Sequence, residues 1–294
     1  MDRRELYTTY KPLLFGLAYR MLGSVMDAED MVQDVFVAID RLDVTTITNP
    51  KAFLCKMVTN RCLDYLRSAR KQREVYVGPW LPEPLLADES NDPASAVIAR
   101  DTLSIAYLTM MEKLTATERA VLVLREALAF DYGEIAEIVG KTEANCRKIL
   151  SRVKQKLGEE MGSANLPYEQ NKKLIVDFMQ AIHAGDTEKM LALLAEDVVL
   201  YSDGGGKVLA ARHPIRSRER VAAFLAGIAR KRPAGFHAYL ATVNGLPGIV
   251  HAWDGRIHSV ISYKLRDGRL EAIYIILNPE KLKHISLPAS PPIG

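Results

Sequence analysis

The first half of the chain repeats apolar residues at steps of three and four, the spacing of amphipathic helices. The pattern predicts a helix over residues 5–22, a second helix capped by Asp27, and a long third helix from Pro50 to about Arg73. The expected buried face of the third helix consists of Phe53, Leu54, Met57, Val58, Cys62 and Leu66. Periodicity is absent over residues 77–95, where four prolines and several acids predict a linker.

Helices resume at about residues 95–113, and Thr115 with Glu118 forms a capping box ahead of another apolar run. Residues 131–157 then predict a helix-turn-helix. Its first helix packs through Ile135, Ala136 and Val139, Gly140 makes the turn, and Thr142 caps the second helix. The inward residues of the second helix are Ile149, Leu150, Val153 and Leu157, and the outward residues are Asn145, Arg147, Lys148, Ser151, Arg152 and Lys154.

This sorting favours DNA binding, because a recognition helix presents hydrogen-bond donors to base edges and phosphates. The alternative is a solvated amphipathic helix with a cationic end. A second candidate surface lies on the helix of residues 50–73, where Asn60, Arg61, Asp64, Arg67 and Arg70 share a face. Arginines alone would hold phosphates without sequence preference, whereas Asn60 and Asp64 permit base-specific hydrogen bonds. The loop of residues 43–50 is placed to take an unstacked base.

The second half of the chain has a different pattern. It predicts a helix ended by Gly185, a short helix, and strands at residues 197–202 and 208–211. A helix at about 216–231 comes next. Four β-runs follow at 236–243, 248–253, 256–266 and 269–277, separated by Asn244-Gly245, Asp254-Gly255 and Asp267-Gly268. The expected fold is an α+β domain with helices on one face of an antiparallel sheet.

Composition narrows the class of protein. The chain has 294 residues and a net charge of +3, with 48% hydrophobic and 26% charged residues, which is typical of a soluble protein of two or three domains. It shows no apolar run of membrane-spanning length and no signal peptide. Three cysteines without a CxxC pair argue for a cytoplasmic location and against a metal site, and Cys55 and Cys62 are expected in the core.

Charge is strongly sorted along the first half. Residues 51–73 carry seven cations and one acid, and residues 141–156 carry six cations and one acid. Acidic stretches at 27–40 and 82–92 flank the first basic segment. Two basic surfaces separated by an acidic segment suggest two contacts with a polyanion.

Residues 1–157 resemble an extracytoplasmic-function (ECF) sigma factor, a bacterial RNA polymerase specificity subunit. "LAYRMLGSVMDAEDMVQDVFVAI" and "NPKAFLCKMVTNRCLDYLRSARK" match that family's first helical domain, and "LTATERAVLVLREALAFDYGEIAEIVGKTEANCRKILSRVKQKL" matches its second. The resemblance implies core RNA polymerase and promoter DNA as partners, and no cofactor. Asp30, Gln33 and Asp34 would dock on polymerase. The face around Asn60 with loop 43–50 would melt and read the minus-ten element, and helix 142–156 would read the minus-thirty-five element. The acidic linker would run through the polymerase. Lys148, Ile149 and Cys146 depart from residues common in the family, which leaves the promoter sequence open.

Residues 167–294 resemble the SnoaL-like branch of the nuclear-transport-factor-2 (NTF2) cone fold, through "GDTEKMLALLAEDVVLYSD". Some members of that superfamily are isomerases or cyclases with a small-molecule pocket. The candidate pocket residues here are Asp203, His237, His251, Trp253 and His258, and the alternative for the histidines is partly exposed strand positions. No histidine pair has the spacing of a zinc site.

The sequence "YSDGGGKVLA" (201–210) places three glycines ahead of a lysine. It is not a phosphate-binding P-loop, because Val208 follows Lys207 where that motif needs Ser or Thr. One interpretation is a plain turn. The other follows from a resemblance to a subgroup of ECF sigma factors that carries the same extra domain. The two motifs of that subgroup appear here as Trp80–Pro84 and Asp203–Lys207, and "NPEKL" (278–282) resembles a third. The predicted regulatory contact joins Trp80, Leu81, Pro82, Glu83 and Pro84 to Asp203, Gly204, Gly205, Gly206 and Lys207.

The sequence thus predicts a multidomain sigma factor that is not itself an enzyme. Its expected parts are a helical region 2 domain (1–75), a linker (76–95), a region 4 helix-turn-helix domain (96–160) and an SnoaL-like regulatory domain (167–294). Two alternatives stay open. One is a polymerase-independent helix-turn-helix regulator that senses a ligand, and the other is residual enzyme activity in the C-terminal domain.

Overall fold

The computed structural model describes residues 3–43, 47–73, 75–86, 103–158 and 167–293. They divide into two compact units. The first contains residues up to 75 and those from 107 to 158, and the second contains residues 76–86, 103–106 and 167–293. Residues 76–86, the first part of the predicted linker, therefore belong to the second unit and are not a separate connecting segment.

The first unit is helical, as the apolar periodicity predicted. Its helices are α1 (Arg3–Leu22), α2 (Val25–Ile39), α3 (Pro50–Arg73), α4 (Ile105–Met111, in this unit from residue 107), α5 (Ala116–Leu122), α6 (Tyr132–Val139) and α7 (Glu143–Leu157), and a π-helical turn (Val123–Ala127) extends α5. The cap of α2 differs from the expectation. Ser24, not Asp27, is the N-cap residue, and its Oγ accepts a hydrogen bond from the Asp27 amide. A serine hydroxyl one position before the first helical residue reaches that free amide, so Asp27 lies inside the first turn.

The remaining local signals of this unit are confirmed. Thr115 and Glu118 form a reciprocal capping box at α5. Gly140 ends α6 with a φ of 64°, a left-handed conformation that glycine adopts without a side-chain penalty. Thr142 Oγ1 caps α7 by accepting a hydrogen bond from the Asn145 amide.

Packing of α3 follows the predicted face. Leu54, Val58 and Cys62 are fully buried, whereas Phe53, Met57 and Leu66 are half-buried. Cys55 is also fully buried, and burial raises the pKa of its thiol to about 12. Both cysteines are core residues, since a thiol that cannot ionise is a poor nucleophile.

The second unit is a six-stranded sheet with helices on one face. Its helices are α8 (Tyr168–Ala184), α9 (Thr187–Leu193) and α10 (Arg218–Ala229), and its strands are β1 (Leu194–Asp203), β2 (Ile215–Arg216), β3 (Phe236–Val243), β4 (Leu246–Trp253), β5 (Arg256–Arg266) and β6 (Arg269–Ile276). The strand order is β2-β1-β6-β5-β4-β3. β1 pairs with β6 in parallel, so the sheet is mixed rather than purely antiparallel.

Two-residue turns connect β3 to β4, β4 to β5 and β5 to β6, as predicted. Asn244, Asp254 and Asp267 have φ values of 52°, 51° and 51°, and each precedes a glycine of positive φ, the geometry of type I′ turns. The predicted strand at 208–211 is wrong: those residues form no strand, and the partner of β1 is the short β2. Residues 204–208 form a turn instead, in which the Lys207 and Val208 amides donate to the Gly204 carbonyl oxygen at 3.0 and 3.4 Å, and pairing with β1 starts only at Ile215.

Both faces of the sheet are buried. The helix-covered face packs α8 and α10 against β1 and β3–β6, with Phe178, Val221 and Ile249 in its core. The opposite face carries a second apolar cluster that includes Val250 and Val260 of the sheet, together with Leu81 and Ile105 from the N-terminal half of the sequence. The linker segment thus completes a core of the second unit.

Candidate nucleic-acid interface and linker-binding site

The outer face of α7 is exposed along its whole length. Asn145, Arg147, Lys148, Ser151, Arg152 and Lys154 are all exposed. Beneath them Cys146, Leu150, Val153 and Leu157 are buried, while Ile149 is half-buried rather than fully inward. The helix therefore combines an apolar inner face with an outer face of hydrogen-bond donors, as base and phosphate contacts require.

Few intramolecular contacts occupy these donors. Arg147 forms an ion pair with Glu143 at 2.9 Å and stacks over the Tyr132 ring at 4.7 Å. Lys154 pairs with Glu126 at 2.9 Å. Exposed ion pairs of this kind contribute roughly 0–1 kcal/mol, so phosphate groups could replace the carboxylates at little cost. The side chains of the other four outward residues have no hydrogen bond or ion pair within the part of the chain that the structure describes.

The face on α3 is only partly as expected. Asn60, Asp64 and Arg67 are exposed, and Arg67 pairs with Asp64 at 2.9 Å. Arg61 is half-buried instead, because its Nη2 donates to the backbone oxygen of Asp34 on α2 at 3.3 Å. The Arg70 side chain lies outside the described residues.

A cavity of about 460 Å³ opens at the start of α3. Asn49 caps this helix end, since its Oδ1 accepts a hydrogen bond from the Ala52 amide at 3.1 Å. Ile47, Thr48 and Lys56 line the cavity, and Glu134 and Glu137 of α6 form its other wall. Residues 44–46 of the predicted base-binding loop lie outside the described residues.

The predicted polymerase-docking residues lie on α2. Asp30, Gln33 and Asp34 are exposed. Met26 and Val37 of the same helix are 46% and 52% exposed, which is high for large apolar side chains. Sequence analysis missed these two, although apolar residues outside the buried periodicity of α2 were a visible signal. The surface of α2 therefore mixes acidic and apolar groups, a composition suited to a protein partner.

Asp203, at the end of β1, is the centre of a site that holds the linker segment. Its carboxylate is fully buried and accepts hydrogen bonds from Tyr76 Oη at 2.6 Å, the Leu81 amide at 2.8 Å and Lys281 Nζ at 2.8 Å. The Gly205 amide donates a fourth bond at 3.1 Å. Burial raises the pKa of Tyr76, and its hydrogen bond to Asp203 adds to that shift. Asn278 Nδ2 donates to Tyr76 Oη at 2.9 Å. We call Asp203, Asn278 and Lys281, which hold Tyr76 and Leu81 of the linker segment, the linker-binding site.

Lys281 is the buried cation of this site. It is 6% exposed, donates to the Leu81 carbonyl oxygen as well as to Asp203, and lies over the Trp80 ring at 4.0 Å. The charge of the Asp203 carboxylate is therefore balanced inside the protein, as a buried carboxylate requires. The adjacent motif residue Lys207 pairs with Glu280 at the surface.

The glycine loop lies directly against the linker segment. Gly205 has a φ of 58°, and a Cβ there would lie 2.8 Å from Asn278 Cγ and 3.0 Å from Tyr76 Oη. Gly206 has a φ of 71°, and its Cβ would lie 3.1 Å from Val77 Cβ. Both positions favour glycine for two reasons: the backbone is left-handed, and a side chain would collide with the linker segment.

A second anchor holds the end of the segment. The Asn244 amide donates to the Leu85 carbonyl at 2.8 Å, and Asn244 Oδ1 accepts from the Leu85 amide at 3.0 Å. His284 Nε2 lies 2.7 Å from the Pro84 carbonyl oxygen. Residues 81–85, which include Pro82, Glu83 and Pro84, are all buried. Tyr76, Asn244 and His284 were missed by sequence analysis, because a tyrosine, a turn asparagine and a histidine carry no signal of so distant a partner.

The predicted pocket residues do not act together. Asp203 faces the linker segment rather than the helix-covered side of the sheet. Side chains alternate between the two faces along a strand, and Leu200, three residues earlier on β1, lies on the helix-covered face. Trp253 is 48% exposed and His258 is also exposed, whereas His251 is buried. No group of three or more histidine, cysteine or acidic side chains with metal-binding geometry occurs among the described residues. Within those residues, no helix is long and apolar enough to cross a bilayer.

Comparison with known proteins agrees with this architecture. Residues 6–72 match the Sigma-70 region 2 family and residues 104–157 match Sigma-70 region 4. The chain is similar to the ECF RNA polymerase sigma factor SigJ of Mycobacterium tuberculosis, with 33% identity over 91% of this chain and 89% of that protein. It is also 27% identical to the probable ECF sigma factor SigI of the same species, over 94% of this chain and 93% of that one.

A solved structure extends the similarity to three dimensions. The crystal structure of M. tuberculosis SigJ superimposes with a TM-score of 0.78 at 30% identity, covering 94% of this chain and 96% of that one. The coverage includes the sheet domain as well as the helical regions. With both sigma regions and the relationship to SigJ established over nearly its whole length, this chain belongs to the family of ECF RNA polymerase sigma factors.

Proposed function

We propose that this sigma factor docks on core RNA polymerase through α2 and reads promoter DNA through α3 and α7. In this proposal Asp30, Gln33 and Asp34 contact polymerase. The α7 face reads the minus-thirty-five element, and Asn60, Asp64 and Arg67, with the loop before α3, read the minus-ten element. The observation that carries the proposal is that all six outward α7 side chains are exposed above a buried apolar face.

The packing of the first unit supports a role for polymerase in opening the molecule. Arg119 of α5 is 3% exposed, and its Nη1 donates to the Met21 carbonyl of α1 at 2.5 Å. Lys51 of α3 donates to the Leu128 carbonyl at 3.4 Å and lies over the Phe130 ring at 4.9 Å. The helices of regions 2 and 4 are thus in direct contact.

Promoter geometry requires these regions to separate. Elements centred near minus ten and minus thirty-five are about 25 base pairs apart, or roughly 85 Å at about 3.4 Å per base pair. Helices that touch through α3 and α6 cannot reach both elements at once. Polymerase would hold the two regions apart, so the chain alone should bind promoter duplex weakly.

The linker-binding site provides the proposed regulation. By family resemblance the linker runs through polymerase, whereas residues 81–85 are buried here in the C-terminal unit. A segment cannot occupy both places, so we infer that the site competes with polymerase for the linker and restrains transcription. The C-terminal unit would then limit initiation without a separate inhibitory protein.

Transcription reconstituted with core polymerase tests the DNA-binding proposal. We expect Arg152→Ala to lower promoter-dependent output about tenfold, since one lost base or phosphate contact costs roughly 1–3 kcal/mol. Arg269→Ala, an exposed arginine on β6, is the matched control and should leave output unchanged.

Two results would contradict the proposal. Equal output from both variants would remove α7 from promoter recognition. Tight binding of promoter duplex by the chain alone, with no gain on adding core polymerase, would favour the polymerase-independent regulator.

A further inference from the structure

A pocket of about 540 Å³ opens on the helix-covered side of the second unit, away from the linker-binding site. Met179 and Ile182 of α8, Ala226 of α10 and Ile293 near the C-terminus form apolar walls. Ile293 is fixed there, because its amide donates to the Ala238 carbonyl on β3 at 2.7 Å. This volume falls within the range of small-molecule sites, roughly 300–1,000 Å³.

The charge of the lining is one-sided. Arg230, Arg232, His183 and His237 line the pocket, and no aspartate or glutamate lies among the lining residues that the structure describes. A pocket with cationic groups and no carboxylate concentrates anions and repels cations.

Arg232 is the focus of this charge. Its guanidinium is half-buried and lies over the Phe236 ring at 5.3 Å. It makes no side-chain hydrogen bond or ion pair with any described residue. Burial lowers the pKa of Arg232. A guanidinium withdrawn from water without an anionic partner is unfavourable, so a bound anion would stabilise this arrangement.

A second unsatisfied group lies behind Phe236. His251 is 6% exposed, and its ring centroid is 4.9 Å from that of Phe236. Its Nδ1 lies 3.1 Å from Ser259 Oγ, whereas its buried Nε2 has no hydrogen-bond partner among the described residues. Burial lowers the pKa of His251 to about 3, with Arg232 and His258 adding to the shift, so the ring is neutral near pH 7. His251 does not line the pocket, and its ring packs against Phe236, which does.

We propose that this pocket binds a small organic anion, an apolar ring system that carries one carboxylate. The carboxylate pairs with the Arg232 guanidinium, and the ring packs against Phe236 and Met179. Such a site goes beyond the sigma activity, because it makes the C-terminal unit a receptor for a metabolite-sized acid.

Calorimetric titration of the full chain with 1-naphthoate, in the absence of polymerase and DNA, tests this inference. We expect saturable binding, at least about tenfold weaker binding of the neutral 1-naphthamide, and no detectable binding of 1-naphthylmethylamine. Arg232→Met should weaken naphthoate binding at least tenfold, Arg232→Lys should restore part of it, and the control Arg269→Met should leave it unchanged. Thermal unfolding of each variant shows whether it has folded.

Other outcomes would overturn the inference. They are no heat of binding up to several millimolar naphthoate, equal binding of the acid and the amide, or unchanged binding by folded Arg232→Met. Each of these leaves the promoter and polymerase assays unaffected, so failure here is distinguishable from failure of the proposed function.

Discussion

Replacing Asp203 with asparagine should release the linker segment from the C-terminal unit. Asp203→Asn keeps the size and one acceptor oxygen of the side chain but removes its charge. The buried ammonium of Lys281 then loses its counter-ion, and the new amide group faces donors from Tyr76 and the Leu81 backbone. The change therefore acts on the contact itself and leaves the helix-turn-helix untouched.

The expected magnitude follows from the burial of both charges. Asp203 is 0% exposed and Lys281 is 6% exposed, so the remaining ammonium has little access to water. Removing one member of a buried ion pair costs about 3–5 kcal/mol. The Trp80 ring, 4.0 Å from Lys281 Nζ, offsets part of that cost. At roughly 1.4 kcal/mol per tenfold, the equilibrium for opening the segment should shift by about two orders of magnitude or more.

Hydrogen exchange of the Leu81 amide measures this opening. The amide is bonded to Asp203 Oδ2 in the native protein and should exchange about a hundredfold faster in Asp203→Asn. The Leu85 amide, bonded to Asn244, reports whether the second anchor opens with the first. In reconstituted transcription the same variant should raise output, because the linker becomes available to polymerase.

The matched control is Asp197→Asn on the same strand. Asp197 is 65% exposed and accepts two hydrogen bonds from Arg266 at 2.9 Å. An exposed pair contributes about 1 kcal/mol or less, so Leu81 exchange should stay near the native rate. Leu81 exchange in Asp203→Asn within about threefold of that control would refute the role of the buried ion pair. Adding Lys281→Met to Asp203→Asn should recover part of the protection, since it removes the unpaired charge.

Two further predictions concern the glycine loop and the cysteines. Gly205→Ala should destabilise the second unit more than Gly255→Ala in denaturant unfolding. Both positions have a positive φ, which costs alanine roughly 1 kcal/mol, but only a Cβ at position 205 would also clash with Asn278. Equal losses of stability would mean that the loop does not need the close approach. Cys55 and Cys62 should resist iodoacetamide at pH 8 in the folded chain and react after denaturation, since burial raises the pKa of both thiols; rapid native labelling would contradict their core placement.

Local chemistry made much of the architecture predictable. The turns at Asn244-Gly245 and Asp254-Gly255, the capping box of Thr115 and the left-handed Gly140 were all recognised from residues at most four positions apart. Such signals act through bonds that the chain forms with itself nearby, so they hold in almost any tertiary context. The exposure of the α7 face followed in the same way, from the helical period alone.

Long-range geometry decided the rest. The amphipathic pattern placed Arg61 on an exposed face, but its hydrogen bond to a backbone oxygen of α2 keeps the side chain half-buried. The strand pattern left the parallel partner of β1 undetermined, because alternation specifies a face and not a neighbour.

Apart from the short strand β2, the sequence by itself determined which described segments are helices, strands and turns, and which α7 side chains point outward. Only the tertiary structure decided that Asp203 faces the linker rather than a ligand pocket, and that its partner Tyr76 lies 127 residues earlier in the chain. The physical reason is the distance along the chain over which each kind of interaction acts. Caps and turns depend on a few neighbouring residues, whereas a buried carboxylate is satisfied by whatever donors the complete fold brings to it.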